Sequence, residues 1–280
     1  MAVALVTDST ACLPPYRLAQ AAVEVVPVQV VLGDQVYDEG HAINSAGVIA
    51  ALRSGAEVTT ANPGPERFAA VYERLAAAGA SEIVSMHLSS ELSGTYSAAV
   101  LAAREARVPV RVVDTRTVGL ALGFAVLSAA EVAARGGDGQ SVAEAAMASG
   151  RAADVWLSVD NLEALRRGGR IGTAQAAVGS VLAIKPILTL EGGRLHQLEK
   201  VRTASRAASR LVELAAQAVM ALDAPCQVGV QHAGAPDRAS ALVKELGRAM
   251  PGVPVITTDL GAVLTAHVGP GAIAVIVSPM

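Results

Sequence analysis

The chain has 280 residues, of which 52% are hydrophobic and only 2% aromatic, with a mean hydropathy of +0.44 and a formal net charge of -3. Such apolar content at so low a charge excludes an intrinsically disordered chain. Two Phe, four Tyr and one Trp, at a pI near 6.0, leave little with which to stack on exposed nucleic-acid bases.

The length supports one large domain or two of ordinary size. The longest charge-free run, Leu260 to Met280, carries His267 and Gly269-Pro270-Gly271 in its middle, which argues against a membrane span. The apolar runs Val118 to Ala130 and Ile171 to Ile184 are shorter and end at Glu131 and Lys185. Met1 to Asp8 has no basic region and meets an acid at once, unlike a signal peptide. A soluble cytoplasmic protein with no stable membrane insertion is expected. Cys12 and Cys226 fit a reducing compartment, and neither stands at metal-ligand spacing from a histidine, so no metal is expected.

Val3 to Thr7 reads as a short buried strand running into Asp8-Ser9-Thr10. Val23 to Leu32 is a long β-branched stretch in which Pro27 implies an edge or a break. Helical spacing follows at Asn44 to Arg53 and at Pro65 to Ala78, the latter with proline in its first turn. Ile83 to His87 is a strand, Ser97 to Arg107 a helix, Val110 to Val113 a strand ending at Asp114, and Val118 to Arg135 an almost wholly apolar helix. Strand, polar turn and helix repeated in this way predict a parallel sheet flanked by helices, with ligands beyond the carboxyl ends of its strands.

A turn at Gly136 to Gly139 and a helix over Ser141 to Arg151 lead to an expected domain boundary near residue 152. The second half begins with a strand over Val155 to Val159 and a helix from Asn161 that stops at Gly168-Gly169. Ile184 to Thr189 and Leu195 to Val201, joined through Glu191 to Arg194, predict a hairpin. A Thr203-capped helix to Met220, then strand, helix and strand over Cys226 to Gln231, Asp237 to Arg248 and Val253 to Thr258, complete the order. The hairpin predicts a mixed or antiparallel sheet, so residues 1–152 are expected as an α/β domain and 153–280 as an α+β domain.

Ser89 to Tyr96 follows a strand and opens a helix, where unpaired N–H groups and the positive dipole end make an anion seat; capping by Ser93 is the plainer account. Thr59-Thr60-Ala61-Asn62-Pro63-Gly64 is a second hydroxyl-rich turn before a helix. Arg166-Arg167-Gly168-Gly169-Arg170 reads largely as a helix stop, although Arg170, beyond the glycines, is not needed for that. His87 and His232 read as satisfied core histidines, and His267 lies in an apolar run before a Gly-Pro-Gly turn.

Taken in order, Thr7 to Thr10, Thr60 to Pro63, Leu92 to Thr95, Val113-Asp114, Leu165 to Ile171, Ile184 to Leu188, Lys200 to Arg202 and His267 to Gly271 resemble the DegV family of bacterial fatty-acid-binding proteins. The resemblance covers nearly the whole chain. It implies a two-domain fold with one long-chain fatty acid between the domains. It also implies a carboxylate held by Thr60, Ser93 and Gly94, with Thr59 as the alternative to Thr60. Arg170, Arg202 and His267 map onto family positions near the headgroup or facing a separate fatty acid kinase, which phosphorylates the bound carboxylate with ATP. No cofactor beyond the fatty acid is implied, and the protein is expected to act as a carrier of fatty acid and acyl phosphate for phospholipid synthesis, not as an enzyme. Two departures stand out: Ala61-Asn62-Pro63-Gly64 replaces the usual Ser-Gln-Pro-Ser, and Cys12 replaces an Asp.

The rival from the residues themselves is a serine hydrolase with Ser93 or Ser90 as nucleophile and His267 or His87 as base. It lacks the Gly-x-Ser-x-Gly elbow and an evident carboxylate to orient either histidine. A phosphate-binding enzyme using Gly168-Gly169-Arg170 lacks both the Walker and the Gly-x-Gly-x-x-Gly patterns.

Overall fold

The structure, a computed structural model, describes residues 3–171 and 184–280; the run Ile171 to Ile184 lies, but for its ends, outside the described residues. Three sheets organise the chain. The first is parallel, in the order β2 (Val23–Val26), β1 (Val3–Asp8), β6 (Glu82–His87), β7 (Val110–Asp114). Chain order reverses between β1 and β6, so the crevice beyond their carboxyl ends is where a ligand belongs.

The stretch Val23 to Leu32 breaks at Pro27, whose ring nitrogen cannot donate to a ladder. The chain leaves the parallel sheet there and enters a small antiparallel one: β3 (Gln29–Leu32) between β4 (Gln35–Asp38) and β5 (Val58–Ala61). This corrects the reading of residues 59–65 as a turn, because Thr59 and Thr60 are strand residues paired with Val31 and Val30. β-branched Val58, Thr59 and Thr60 suit the pleated conformation, and the turn proper begins only at Asn62-Pro63.

The third sheet has six strands, in the order β10 (Arg194–Val201), β9 (Lys185–Glu191), β8 (Asp154–Ser158), β13 (Ile273–Pro279), β11 (Cys226–His232), β12 (Val255–Asp259). All neighbours are antiparallel except β11 and β12. The hairpin turns at Gly192 and Gly193, both at positive φ (+57° and +84°), as a two-residue turn between right-twisted strands requires. On one face lie α8 (Ala204–Ala221), capped by Thr203, and α9 (Pro236–Ala249).

The other face is covered by α5 (Leu120–Ala134), which also packs on the parallel sheet. One core cluster therefore joins Val84 and Met86 of β6, Leu120 and Phe124 of α5, and Leu157 and Ile276 of the six-stranded sheet. Burial on all sides of its first two turns, Leu120 to Val126, explains why α5 has no polar stripe there. The preceding helices are α1 (Pro15–Gln20), α2 (Ser45–Arg53), α3 (Pro65–Ala77) and α4 (Thr95–Ala103), the last stopping four residues before the expected Arg107. α6 (Gly139–Ala152) follows α5, and α7 (Glu163–Arg167) follows β8. The charge-free C-terminal run divides into α10 (Gly261–Val268) and the central strand β13, with Gly269 to Ala272 turning between them. Among the described residues no helix is long and apolar enough to cross a membrane.

Candidate functional site

An apolar cavity lies where the loops beyond β6 and β7 meet α10 and the six-stranded sheet. Leu88 and Leu92 come from the first loop, Val118 from the second, Leu157 from β8, and Leu264 and Ala274 from α10 and β13. Among the described residues no Phe, Tyr or Trp lines it. Its polar end gathers residues from four elements: Thr60 of β5, Ser93 and Gly94 before α4, Arg170 beyond α7, and His267 of α10. A second, polar recess of about 400 Å³ abuts this end and shares Thr60, Arg170 and His267 as its wall, with Arg167 and Glu57 on its far side.

β5 alternates, so neighbouring threonines part. Thr60 lines both spaces and is half-buried, whereas Thr59 is exposed and reaches only the outer recess. Thr60 Oγ1 lies 2.8 Å from His267 Nε2, joining residues 207 positions apart in sequence. Burial, with the nearby positive Arg170, pushes the His267 pKa down from 6.5 to about 4, so the ring is neutral at pH 7. Arg170 donates from Nε to Leu92 O at 3.0 Å and from a terminal nitrogen to Gly168 O, fixing its guanidinium between α7 and the Ser93 loop. Arg202 is exposed, just past the end of β10, and does not line the cavity.

Ser93 Oγ accepts the Thr95 N–H at 3.3 Å and pairs with Thr95 Oγ1 at 2.9 Å, while the N-cap position of α4 is Gly94. Ser93 is therefore not the N-cap expected from the sequence, although its hydroxyl holds one N–H of the first turn; with Thr95 as donor in the hydroxyl pair, Ser93 retains its own proton for a ligand. The loop is also strapped from the hairpin: Ser89 Oγ donates to Gly193 O at 2.8 Å and Arg194 Nε to Glu91 at 2.8 Å.

Neither candidate serine is hydrogen-bonded to a histidine among the described residues. Ser90 Oγ donates to Asp114 instead, and His267 engages Thr60. A carboxylate does orient His87, contrary to the sequence reading: His87 Nδ1 donates to Asp8 Oδ2 at 3.0 Å. Ser85 Oγ donates to His87 Nε2 at 2.7 Å, and Tyr72 OH donates to Ser85 Oγ at 2.8 Å. The whole chain from Tyr72 to Asp8 is inaccessible to solvent, so this Ser-His-Asp geometry meets no substrate. Desolvation pushes the Tyr72 phenol up to about 12. His232 departs from expectation: its buried Nδ1 has no hydrogen-bond partner among the described residues and lies 3.7 Å from Asp259.

Sequence reasoning missed three contributors. Asn62 lines the cavity beside Gly94, its Oδ1 3.4 Å from where a Gly94 Cβ would stand. Gln231 also lines it, its Oε1 accepting Leu120 N–H at 2.8 Å at the start of α5. Glu39 lies buried beneath α10, accepting Ser9 Oγ–H at 2.5 Å and Val263 N–H at 2.8 Å. Of these only Glu39 had a sequence signal, an acid immediately after a strand-like Val-Tyr-Asp. Cys12, at φ +51°, directs its thiol to Leu260 O at 3.3 Å, next to the same helix start. No group of three or more metal-ligating side chains occurs among the described residues.

Residues 2–280 match a family model described as "Uncharacterised protein, DegV family". A DegV domain-containing protein of Streptomyces coelicolor is 51% identical over 277 residues, 99% of this chain and 98% of that one. Among solved structures, a DegV family protein from Thermus thermophilus described by its fatty acid binding superposes with a TM-score of 0.91 at 34% identity, covering 100% of both chains. Bacillus subtilis DegV, described as a fatty acid binding protein, gives a TM-score of 0.91 at 31% identity over 100% of both chains. Matched from end to end in sequence and in fold, the chain belongs to the DegV family.

Proposed function

We propose that the protein holds one long-chain fatty acid in the apolar cavity and presents its carboxylate to a separate fatty acid kinase for acyl phosphate formation. The carboxylate is held by Thr60, Ser93 and Gly94. The observation that carries this reading is a cavity that no Phe, Tyr or Trp among the described residues plugs and whose polar end collects two hydroxyls, a helix-start glycine, an arginine and a neutral histidine. Fatty acid binding in relatives of 34% and 31% identity supports it.

The energetics favour such a ligand. An ionised carboxylate leaving water is costly unless its oxygens accept hydrogen bonds, which the Thr60 and Ser93 hydroxyls and the Gly94 N–H supply. Each methylene buried contributes about 0.8 kcal/mol, so some fifteen contribute roughly 12 kcal/mol gross. The chain sets affinity, and the polar end sets orientation. Residues 1–152 supply Thr60, Ser93 and Gly94, and residues 153–280 supply Arg170 and His267. On this reading the ligand lies between two domains divided near residue 152. The polar recess outside Thr60 and His267 is the side from which a kinase in the cytoplasm would reach the carboxylate, with the exposed Arg202 as a docking contact. The carrier performs no reaction of its own and needs no cofactor besides the lipid.

Native mass spectrometry of the purified protein should find one bound fatty acid, or uptake of added palmitate or oleate. Thr60→Ala/Ser93→Ala should lose that uptake by at least about tenfold. Arg202→Ala should bind oleate as the parent does while being phosphorylated more slowly by the kinase. A parent protein that neither carries nor takes up lipid would sink the reading.

A further inference from the structure

Gly168 and Gly169 both end α7, for different reasons. Gly169 lies at φ +68°, in the left-handed region, and a Cβ there would meet nothing within 4 Å. It is the conformational glycine of the helix stop, with Arg170 N–H returning to Leu165 O at 3.0 Å. Gly168 lies at φ -72°, ψ -9°, a conformation any L-residue adopts. Its backbone makes no demand for glycine. Its surroundings do: a Cβ on residue 168 would stand 2.5 Å from His267 Nδ1 and 3.1 Å from Cε1.

That contact bears on where the histidine keeps its proton. A neutral imidazole has one N–H and one bare nitrogen. Nε2 faces Thr60 Oγ1, and Nδ1, which faces Gly168, has no hydrogen-bond partner among the described residues. With the proton on Nε2, the ring donates to Thr60 Oγ1 and the Thr60 O–H remains free to donate. With the proton on Nδ1, Thr60 would have to donate to Nε2 and would have nothing left for a carboxylate, which only accepts.

We propose that Gly168 is a positioning residue for the carboxylate site: by lacking a side chain it lets the His267 ring rest against the end of α7 with its proton on Nε2, which turns the Thr60 hydroxyl proton toward the ligand. This rests on the fatty-acid reading of the cavity. It makes His267 an orienting group that acts through Thr60, and it assigns the two adjacent glycines separate tasks, one steric and one conformational.

The test is Gly168→Ala, whose backbone angles suit alanine and whose helix propensity is higher, so the fold is retained. Oleate binding is measured by titration, and the His267 ring nitrogens are read by ¹⁵N NMR in protein labelled at histidine. The expected result is an Nε2–H pattern in the parent protein, a changed ring signature in Gly168→Ala, and oleate binding weakened about tenfold with thermal unfolding no lower. In a His267→Asn background, Gly168→Ala should cause no further loss. Three results would each overturn the proposal: an Nδ1–H pattern in the parent, unchanged ring signals and affinity in Gly168→Ala, or an equal loss in the His267→Asn background. If the parent binds no oleate, the fatty-acid reading fails, and the ring-nitrogen shifts still decide whether Gly168 seats His267.

Discussion

At the polar end of the cavity, His267 is held far from its ordinary state. Its pKa is lowered to about 4, first by burial and then by Arg170, so between pH 6.5 and 4 the unfolded chain binds a proton that the folded one does not. The stabilisation is therefore complete above pH 6.5 and is lost as pH falls through that window. Between pH 7 and 5 the parent should lose on the order of 2 kcal/mol more than His267→Asn, read from urea unfolding at both values. Equal losses would contradict a buried neutral ring. The presence of a histidine before Gly-Pro-Gly was legible in the sequence; its partner Thr60, 207 residues away, was not. The same holds for His87. The sequence reading placed it in the core, but the Asp8 carboxylate that orients it comes from a neighbouring parallel strand.

At the scale of elements, α10 carries His267 at one end and is anchored at the other by Glu39. This carboxylate receives Ser9 O–H and Val263 N–H where the helix dipole is positive, although burial raises its pKa. Glu39→Ala strands two donors in a buried site and should lower stability by about 2 kcal/mol, seen as an earlier urea midpoint. An unchanged midpoint would remove Glu39 as the anchor of the helix. Strands and helices were mostly legible from periodicity, and the Thr203 cap read from the sequence accepts the Arg206 N–H; Asn44 and Asp138 cap their helices as well, the latter from within a stretch read as a turn. The three-stranded sheet was not legible. Its strands are four residues each and pair only because α2 and α10 cover one side, a contact no local pattern encodes.

Across the whole molecule, one feature links composition to the cavity. α5 fills the space between the parallel and six-stranded sheets with Ala, Val, Leu and a single Phe, while no Phe, Tyr or Trp among the described residues lines the cavity beside it. Ala274, on the central strand β13, should be sensitive to bulk for that reason. Ala274→Phe projects a ring into the space of two or three methylenes, and oleate affinity should drop at least about tenfold in a direct titration. Undiminished affinity would place the acyl chain elsewhere.

The sequence by itself determined the class of fold, the order of most elements and the identity of the family, because periodicity, caps and turn residues act over a few positions; α1, β4, β5, α10 and the central strand β13 were not read from it. Tertiary structure decided which member of each ambiguous pair faces the cavity. Thr60 turns inward and Thr59 outward because β5 pairs with β3 in one register, and a shift of one residue would exchange them. It also decided that Arg170 reaches the cavity while Arg202 stays outside, and that Gly168 rather than Gly169 touches His267. These choices depend on side-chain direction across contacts between segments far apart in the chain, and no local pattern of residues carries that information.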